Sequence, residues 1–198
     1  TAGKTMNKHN EGLLSVHSAV LIFGLTALFS KLINLSAIDI TFFRSFFAIL
    51  AIAIYIKYRQ ESLLLRHNKD YFIAMILGLL LGLHWVTYFY AMQISTIAVG
   101  VIALYTYPVI TVFIEPFFHG NKPQLKDIFS GLLVLFGIYL LVPEFSLGNE
   151  TTQGLLWGIF SALFFALRNI IQGHYFKGYT AKHSLFYQTL ITFIVLLP

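Results

Sequence analysis

Long apolar segments alternate with short polar ones along this chain, and their lengths predict its elements. Seven segments have about the length that an α-helix needs to cross a bilayer, roughly 20 residues. They are 12–30, 37–58, two helices within 71–118 that meet at Gln93–Thr96, 125–142, 152–175, and a seventh from Ala181 onward. Ser36 and Asp39 have the spacing of a helix N-cap before the second span. The pattern therefore predicts an all-α membrane protein, a polytopic helical bundle.

The hairpin formed by residues 71–118 carries side chains that a helix facing only lipid would not need. They are His84, Trp85, Tyr88, Tyr90, Tyr105, Tyr107 and Pro108. Because ionisable groups at membrane depth generally face protein or a water-filled cavity, we expect this set to point into the bundle. Pro108 also removes a backbone donor, which should loosen the helix beside the two tyrosines.

Composition excludes a soluble domain and predicts the orientation. Of 198 residues, 58% are hydrophobic and 11% are charged, against about a quarter charged in soluble domains. The net charge is +5, but the basic residues sit in short loops between apolar segments, where they set the orientation in the membrane. We therefore expect no nucleic-acid partner. Lysine and arginine concentrate in the amino-terminal tail and in every second loop, which predicts a cytoplasmic amino terminus.

The sequence carries no motif of an enzyme or a metal site. It has no cysteine, no HExxH, no GxSxG and no P-loop, which are patterns that would indicate metal binding, acyl transfer or nucleotide binding. All eight carboxylates lie in loops or at predicted helix ends. We therefore predict a protein that is not an enzyme and that needs no cofactor.

An internal repeat divides the chain. GLLSVHSAVLIFGLTALF from Gly12 aligns with GLLWGIFSALFFALRNII from Gly154, and the helix that follows aligns Arg44 with Gln188. We interpret 1–11 as a cytoplasmic tail, 12–146 as a complete five-helix repeat, and 151–198 as a second repeat truncated after two helices. Since five is odd, the second repeat is inverted relative to the first, as in many secondary transporters.

At the level of motifs the chain resembles EamA-type domains of the drug/metabolite transporter superfamily. The similarity lies in LGLHWVTYFYAMQISTIAVGVIALYTYPVITVFIEPFF, in FSGLLVLFGIYLLV, and in FFRSFFAIL with its Arg44. The resemblance implies a ten-helix carrier of the bacterial inner membrane that moves an amino acid, drug or similar metabolite, outward, by alternating access. The alternative is a truncated, non-transporting membrane protein that acts as an assembly partner. The expected partners are a small-molecule substrate, membrane lipids and further copies of the chain in a homo-oligomer.

The predicted substrate site combines aromatic and basic groups of several helices. We assign to it His84, Tyr88, Tyr105, Tyr107, Arg168 and Trp157. Hydrogen bonding of His84 and Tyr88 to neighbouring helices remains an equal alternative. Arg168 either pairs with Glu115 or binds an anionic substrate, and Trp157 is otherwise an interfacial anchor.

A second set of residues is predicted to shape or gate the bundle. It consists of Arg44, Pro108, Glu115, Gly78 and Gly82. Arg44 lies a few residues below the outer end of its helix, so its side chain is expected to extend to the surface. Gly78 and Gly82 form a small-xxx-small pattern that permits two helices to approach closely.

Overall fold

The computed structural model describes residues 2–119, 124–141 and 145–197, and all regular structure in these ranges is helical. The chain divides into two units, residues 1–34 and residues 35–198. This helical architecture confirms the predicted all-α class.

The first unit contains one helix, α1, Ala2–Leu32. Its part Asn10–Leu32 is long and apolar enough to cross a membrane and includes the predicted first span. The helix already begins at Ala2, because the polar residues before Gly12 continue its hydrogen bonding. Ser15 and His17 bond the carbonyl oxygens of Glu11 and Leu13, each at 2.8 Å, so these polar side chains are satisfied within their own helix.

The second unit contains eight helical segments within the described ranges. They are α2 (Ala37–Tyr58), α3 (Asn68–Ile94), α4 (Ile97–Leu104), α5 (Tyr107–Ile114), α6 (Pro116–His119), α7 (Leu125–Leu141), α8 (Glu150–Tyr175) and α9 (Ala181–Val195). The predicted N-cap of α2 is confirmed. The Ser36 hydroxyl accepts from the Asp39 backbone N–H at 3.2 Å and donates to the Asp39 carboxylate at 2.6 Å.

Five stretches of the described chain have the length and composition of membrane spans. They are Asn10–Leu32, Ala37–Tyr58, Asn68–Ile94, Ile97–Phe118 and Glu150–Tyr175. The predicted fifth and seventh spans correspond to α7 and α9, which have 17 and 15 residues. The predicted end of the fifth span, Val142, lies outside the described residues.

The predicted fourth span is not one continuous helix. Tyr105 and Thr106 separate α4 from α5, and Glu115 separates α5 from α6. Each break comes shortly before a proline, Pro108 or Pro116, which has no N–H to donate to the carbonyl one turn earlier. The two prolines therefore divide this span into three segments.

Close packing of α8 and α9 against α3 organises the second unit. α8 lies against α3, α4 and α5, whereas α9 lies against α2 and α3. A Cβ on Gly78 would lie 2.9 Å from the Gln188 carbonyl oxygen, and a Cβ on Gly82 would lie 3.1 Å from Thr192 Cγ2. The Thr192 hydroxyl donates to the Gly78 carbonyl at 2.9 Å. The small-xxx-small pair thus lies where α3 crosses α9.

Large apolar side chains remain on the outside of the second unit. On α7, Phe129, Leu132, Leu135, Phe136 and Tyr139 are all more than half exposed. Buried hydroxyl groups on the other helices bond carbonyl oxygens of their own helix, as Thr41 does to Ala37 at 2.7 Å and Ser45 to Thr41 at 2.8 Å. This arrangement suits a lipid environment, in which polar groups need partners inside the protein.

The crossing of α3 and α9 yields a stability prediction. Gly78→Ala should destabilise the protein by about 1–3 kcal/mol, because its methyl group would press on the backbone of α9. Gly173→Ala is the matched control, since a Cβ there meets nothing within 4 Å. This control should be neutral or stabilise by about 0.5–1 kcal/mol. Thermal unfolding in detergent micelles measures both, and equal effects of the two substitutions would contradict the packing.

Candidate functional site

The break between α4 and α5 places aromatic residues beside α3 and α8. The rings of Tyr107 and Phe165 meet edge to face, with centroids 4.9 Å apart. Phe165 also packs on the His84 ring at 4.7 Å, and His84 stacks on Tyr88 with centroids 6.0 Å apart. We call His84, Tyr88, Tyr107 and Phe165 the aromatic site. It brings together three of the residues predicted from the sequence.

His84 is joined to α8 by a reciprocal pair of hydrogen bonds. The Ser161 hydroxyl donates to the His84 carbonyl oxygen at 3.0 Å, and His84 Nδ1 lies 2.8 Å from Ser161 Oγ. Because the single hydroxyl proton of Ser161 is used, Nδ1 must be the donor in the second bond. In the neutral ring Nε2 is then an acceptor. Within the described ranges Nε2 has no hydrogen-bond partner in the protein. Every buried polar side-chain atom in these ranges does have a partner, so Nε2 is accessible rather than buried.

The structure shows the hydrogen bonds between helices that the structural interpretation of His84 expects, and its role in solute binding stays a prediction. Its Nδ1 edge bonds a neighbouring helix, as the structural alternative expects, whereas its Nε2 edge is open to a ligand. The residue as a whole is buried, with 5% of its surface exposed. A solute with an N–H or O–H group could donate to it.

Arg168 is held by amides and not by a carboxylate. Its Nε donates to Gln188 Oε1 at 2.7 Å, and its Nη1 donates to Asn169 Oδ1 at 3.0 Å. The fully buried Gln188 donates in turn to Gln172 Oε1 at 3.0 Å and to Ser184 Oγ at 2.5 Å. The expected pairing of Arg168 with Glu115 is therefore wrong. The network instead ties α8 to α9.

Arg44 does not extend to the surface as expected. Its guanidinium carbon lies 4.3 Å from the centre of the Trp85 ring and 5.7 Å from that of Phe89. Cation–π attraction to Trp85 accounts for this position, because a guanidinium group stacks favourably on an indole face. Trp85 is next to His84 on α3, and Arg168 shares a helix face with Phe165 at a spacing of three residues, so both basic side chains belong to the surroundings of the aromatic site.

The remaining predicted residues lie around the aromatic site or apart from it. Trp157 packs edge to face on Tyr90 at 5.4 Å and contacts Phe160 at 6.0 Å, which fits the interfacial alternative. Tyr105 is 64% exposed and caps the carboxyl end of α4, at the break before α5. Glu115 is exposed at the end of α5, where its N–H donates to the Thr111 carbonyl at 2.7 Å.

A second polar cluster links the α2–α3 and α8–α9 loops, and we call it the loop cluster. The Glu61 carboxylate pairs with Lys182, His183 Nε2 donates to the Ser62 carbonyl at 2.7 Å, and the Tyr187 hydroxyl donates to the Leu63 carbonyl at 2.8 Å. In the same cluster the Arg66 backbone N–H donates to the Tyr179 hydroxyl oxygen at 2.7 Å, and that hydroxyl donates to Asp70 Oδ2 at 2.5 Å. One end of the bundle is therefore closed by contacts between segments distant in sequence.

Electrostatics in the loop cluster favour this closed arrangement. The hydrogen bond from Lys182 lowers the pKa of Glu61, so the carboxylate is charged at neutral pH. Burial raises the pKa of Tyr179, and its hydrogen bond to Asp70 raises it further, so that phenol keeps its proton. The contribution of the Glu61 pair is present above the ordinary carboxyl pKa and is lost as pH falls through the lowered value.

Sequence reasoning missed Ser161 and Phe165 as members of the site. Ser161, Phe165 and Arg168 follow one another at spacings of four and three residues, which places them on one helix face, so the signal lay in the helical periodicity. In the described part of the chain, His, Asp and Glu side chains do not gather in groups of three or more that could hold a metal ion.

Comparison with known proteins identifies similar membrane proteins. Similarity extends over 186 residues at 24% identity to an uncharacterized transporter of Bacillus subtilis (strain 168), covering 91% of this chain and 59% of that protein. An uncharacterized transporter of Archaeoglobus fulgidus is 26% identical over 186 residues, covering 92% and 63%. An S-adenosylmethionine uptake transporter of Rickettsia conorii is 23% identical over 168 residues, covering 83% and 55%. The chain thus spans 55% to 63% of the lengths of these relatives. No solved structure matches it.

The decisive comparison is with a family rather than with a single protein. The model of the EamA-like transporter family matches residues 10–142, which is more than half of the chain. This match confirms the resemblance that the residues of the hairpin and of α2 and α7 had indicated. The helices long and apolar enough to span a membrane agree with it. The chain therefore belongs to the EamA-like transporter family.

Proposed function

We propose that the protein is a secondary carrier of the bacterial inner membrane that moves a small organic metabolite, with the aromatic site as its solute site. The observation that supports this most is the convergence of His84, Tyr107 and Phe165 at the break between α4 and α5. Broken helices at membrane depth are tolerated where they face protein or line a cavity, and in many transporters they form the substrate site.

The side chains of the aromatic site suit a solute with a planar ring. Aromatic faces on three helices allow stacking, and the open Nε2 of His84 can accept a hydrogen bond from the solute. S-adenosylmethionine, the solute in the name of the Rickettsia conorii relative, has a planar adenine ring. A metabolite with such a ring is the class of solute we propose.

Alternating access requires that each end of the bundle can open and close. The loop cluster supplies a set of contacts that could close one end, and its loops carry the lysines and arginines that predict the cytoplasmic side. Opening this end would also separate buried apolar residues, since Tyr179 and Tyr187 of the loop cluster pack against a core that includes Leu65 and Phe176. Outward movement remains the sequence-based prediction, and since a relative is named an uptake transporter, flux should be measured in both directions.

His84 offers the sharpest test of the proposed site. His84→Ala should lower the flux of S-adenosylmethionine or of another ring-bearing solute into or out of reconstituted vesicles by about tenfold or more, since it removes both the stacking ring and the acceptor. Loss of its hydrogen bonds to Ser161 should cost about 0.6–2 kcal/mol of stability. Radiolabelled flux and thermal unfolding measure the two effects separately.

Ser161→Ala is the matched control for this variant. It removes the hydroxyl partner of Nδ1 but keeps the imidazole ring and the Ser161 carbonyl oxygen, which lies 3.2 Å from Nδ1, so it should cost no more stability than His84→Ala, with a smaller loss of flux. If His84→Ala and Ser161→Ala lower flux equally, His84 acts only as a bond between helices. If folded wild-type protein carries none of the ring-bearing solutes in either direction, the non-transporting alternative is favoured.

The loop cluster generates a prediction about opening. Glu61→Gln removes the ion pair with Lys182, so a cysteine placed at the buried Leu65 should react with a water-soluble thiol reagent a few times faster at neutral pH. Glu150→Gln removes the same charge at the start of α8, away from the cluster, and should leave the rate unchanged. An unchanged rate in Glu61→Gln would show that the pair does not hold the loops together.

A further inference from the structure

Arg44 holds a positive charge in an unusual place. It is the eighth residue of α2, so it lies about 10 Å along the helix from Ala37 at a rise of 1.5 Å per residue. Its guanidinium group is turned toward α3, where it lies over Trp85. Trp85 precedes Tyr88 of the aromatic site by three residues, so the two side chains share a face of α3. Arg44 thus borders the proposed solute site.

The charge of Arg44 has no counter-ion among the described residues. Hydrogen bonds and ion pairs to its guanidinium group are absent within 2–119, 124–141 and 145–197, where its contacts are the rings of Trp85 and Phe89. Asp39, the carboxylate nearest in sequence, is bonded to Ser36 at the start of α2. An arginine at membrane depth is costly unless an anion or other polar groups surround it.

The N–H groups of the Arg44 guanidinium group are available for hydrogen bonding. They have no partner within the described ranges, where every buried polar side-chain atom has one, so these N–H groups are not buried. Two of these N–H groups match the spacing of the two oxygens of a carboxylate. Arg168 differs, because Gln188 and Asn169 already accept from its Nε and Nη1.

We propose that Arg44 binds the carboxylate of the transported solute, so that the carrier selects organic acids with a planar ring. This inference rests on the proposed function, since it assigns the substrate class of the same site. The ring would occupy the aromatic site while the acid group lies against Arg44 beside Trp85 and Tyr88. Arg44 becomes a specificity residue, in contrast to the structural role expected from the sequence.

Matched pairs of ligands that differ only in charge test this assignment. Indole-3-acetate and phenylacetate are compared with indole-3-acetamide and phenylacetamide, by their protection of the protein against heat in a detergent free of phosphate. In the wild type each acid should protect at concentrations about tenfold or more below its amide, because the amide lacks the charge that the guanidinium group binds. Arg44→Gln should abolish this preference and leave protection by the amides unchanged.

Arg44→Lys separates recognition from stacking. Lysine keeps the charge and the cation–π contact but not the paired N–H groups, so the preference for acids should fall between those of the wild type and Arg44→Gln. A preference for acids that persists in Arg44→Gln would overturn the assignment. So would equal protection by acids and amides in the wild type, which would leave Arg44 with a packing role alone.

A lipid headgroup could also supply an anion to Arg44, and binding could occur without transport. Phosphatidylglycerol is therefore added to the same micelles, and its protection against heat is compared between the wild type and Arg44→Gln. If the lipid protects only the wild type and the acids protect neither protein, Arg44 binds a lipid phosphate and the proposal fails. Flux of acids and amides into vesicles is measured in parallel. Flux without a preference for acids contradicts only the role of Arg44, whereas binding of acids without any flux contradicts only the carrier function.

Discussion

The contact between α3 and α8 is the interaction on which the rest of the second unit depends. Two reciprocal hydrogen bonds between His84 and Ser161 satisfy polar groups that lipid could not solvate. Near the start of α8 the backbones of the two helices also approach closely, since a Cβ on Gly154 would lie 3.0 Å from the Ala91 carbonyl oxygen. With α8 fixed in this way, Phe165 and Arg168 are brought to the side of α3 that carries His84.

The same contact determines the chemistry available to a solute. Because Ser161 uses the Nδ1 edge of His84, the Nε2 edge is the one that can serve a ligand. Trp85, the neighbour of His84 in sequence, holds Arg44 on an adjacent side of α3. One turn and a half of α3 thus presents an acceptor, two aromatic faces and, through Trp85, a cation. Few other polar groups are needed to bind a small organic acid at this depth.

Much of the fold could be predicted from the sequence, and the reasons are local. Helix length and apolarity identify the spans without knowledge of packing, and Ser36 with Asp39 located the start of α2. Pro108 was predicted to loosen the fourth span, whereas the structure divides that span before both Pro108 and Pro116, although the apolar pattern continues through both.

The candidate site was predicted less completely, because partners between distant helices leave no local signal. His84, Tyr88 and Tyr107 stood out as polar or aromatic groups in an apolar segment, whereas Ser161 and Phe165 are ordinary residues of a membrane helix. Arg168 was assigned Glu115 as a partner and Arg44 was expected to extend to the surface, since sequence distance indicated neither Gln188 nor Trp85.

In the proposed carrier, the break between α4 and α5 lines a space that opens alternately to the two sides of the membrane. Thr106 lies in this break and is buried, and since the chain has no cysteine, Thr106→Cys introduces a single thiol of similar size. An impermeant thiol reagent applied separately to each face of sealed vesicles tests the claim directly. A carrier should be labelled at this cysteine from both faces, and transported solute should slow the reaction. Labelling from one face alone, or from neither face while the protein remains folded, would contradict the account.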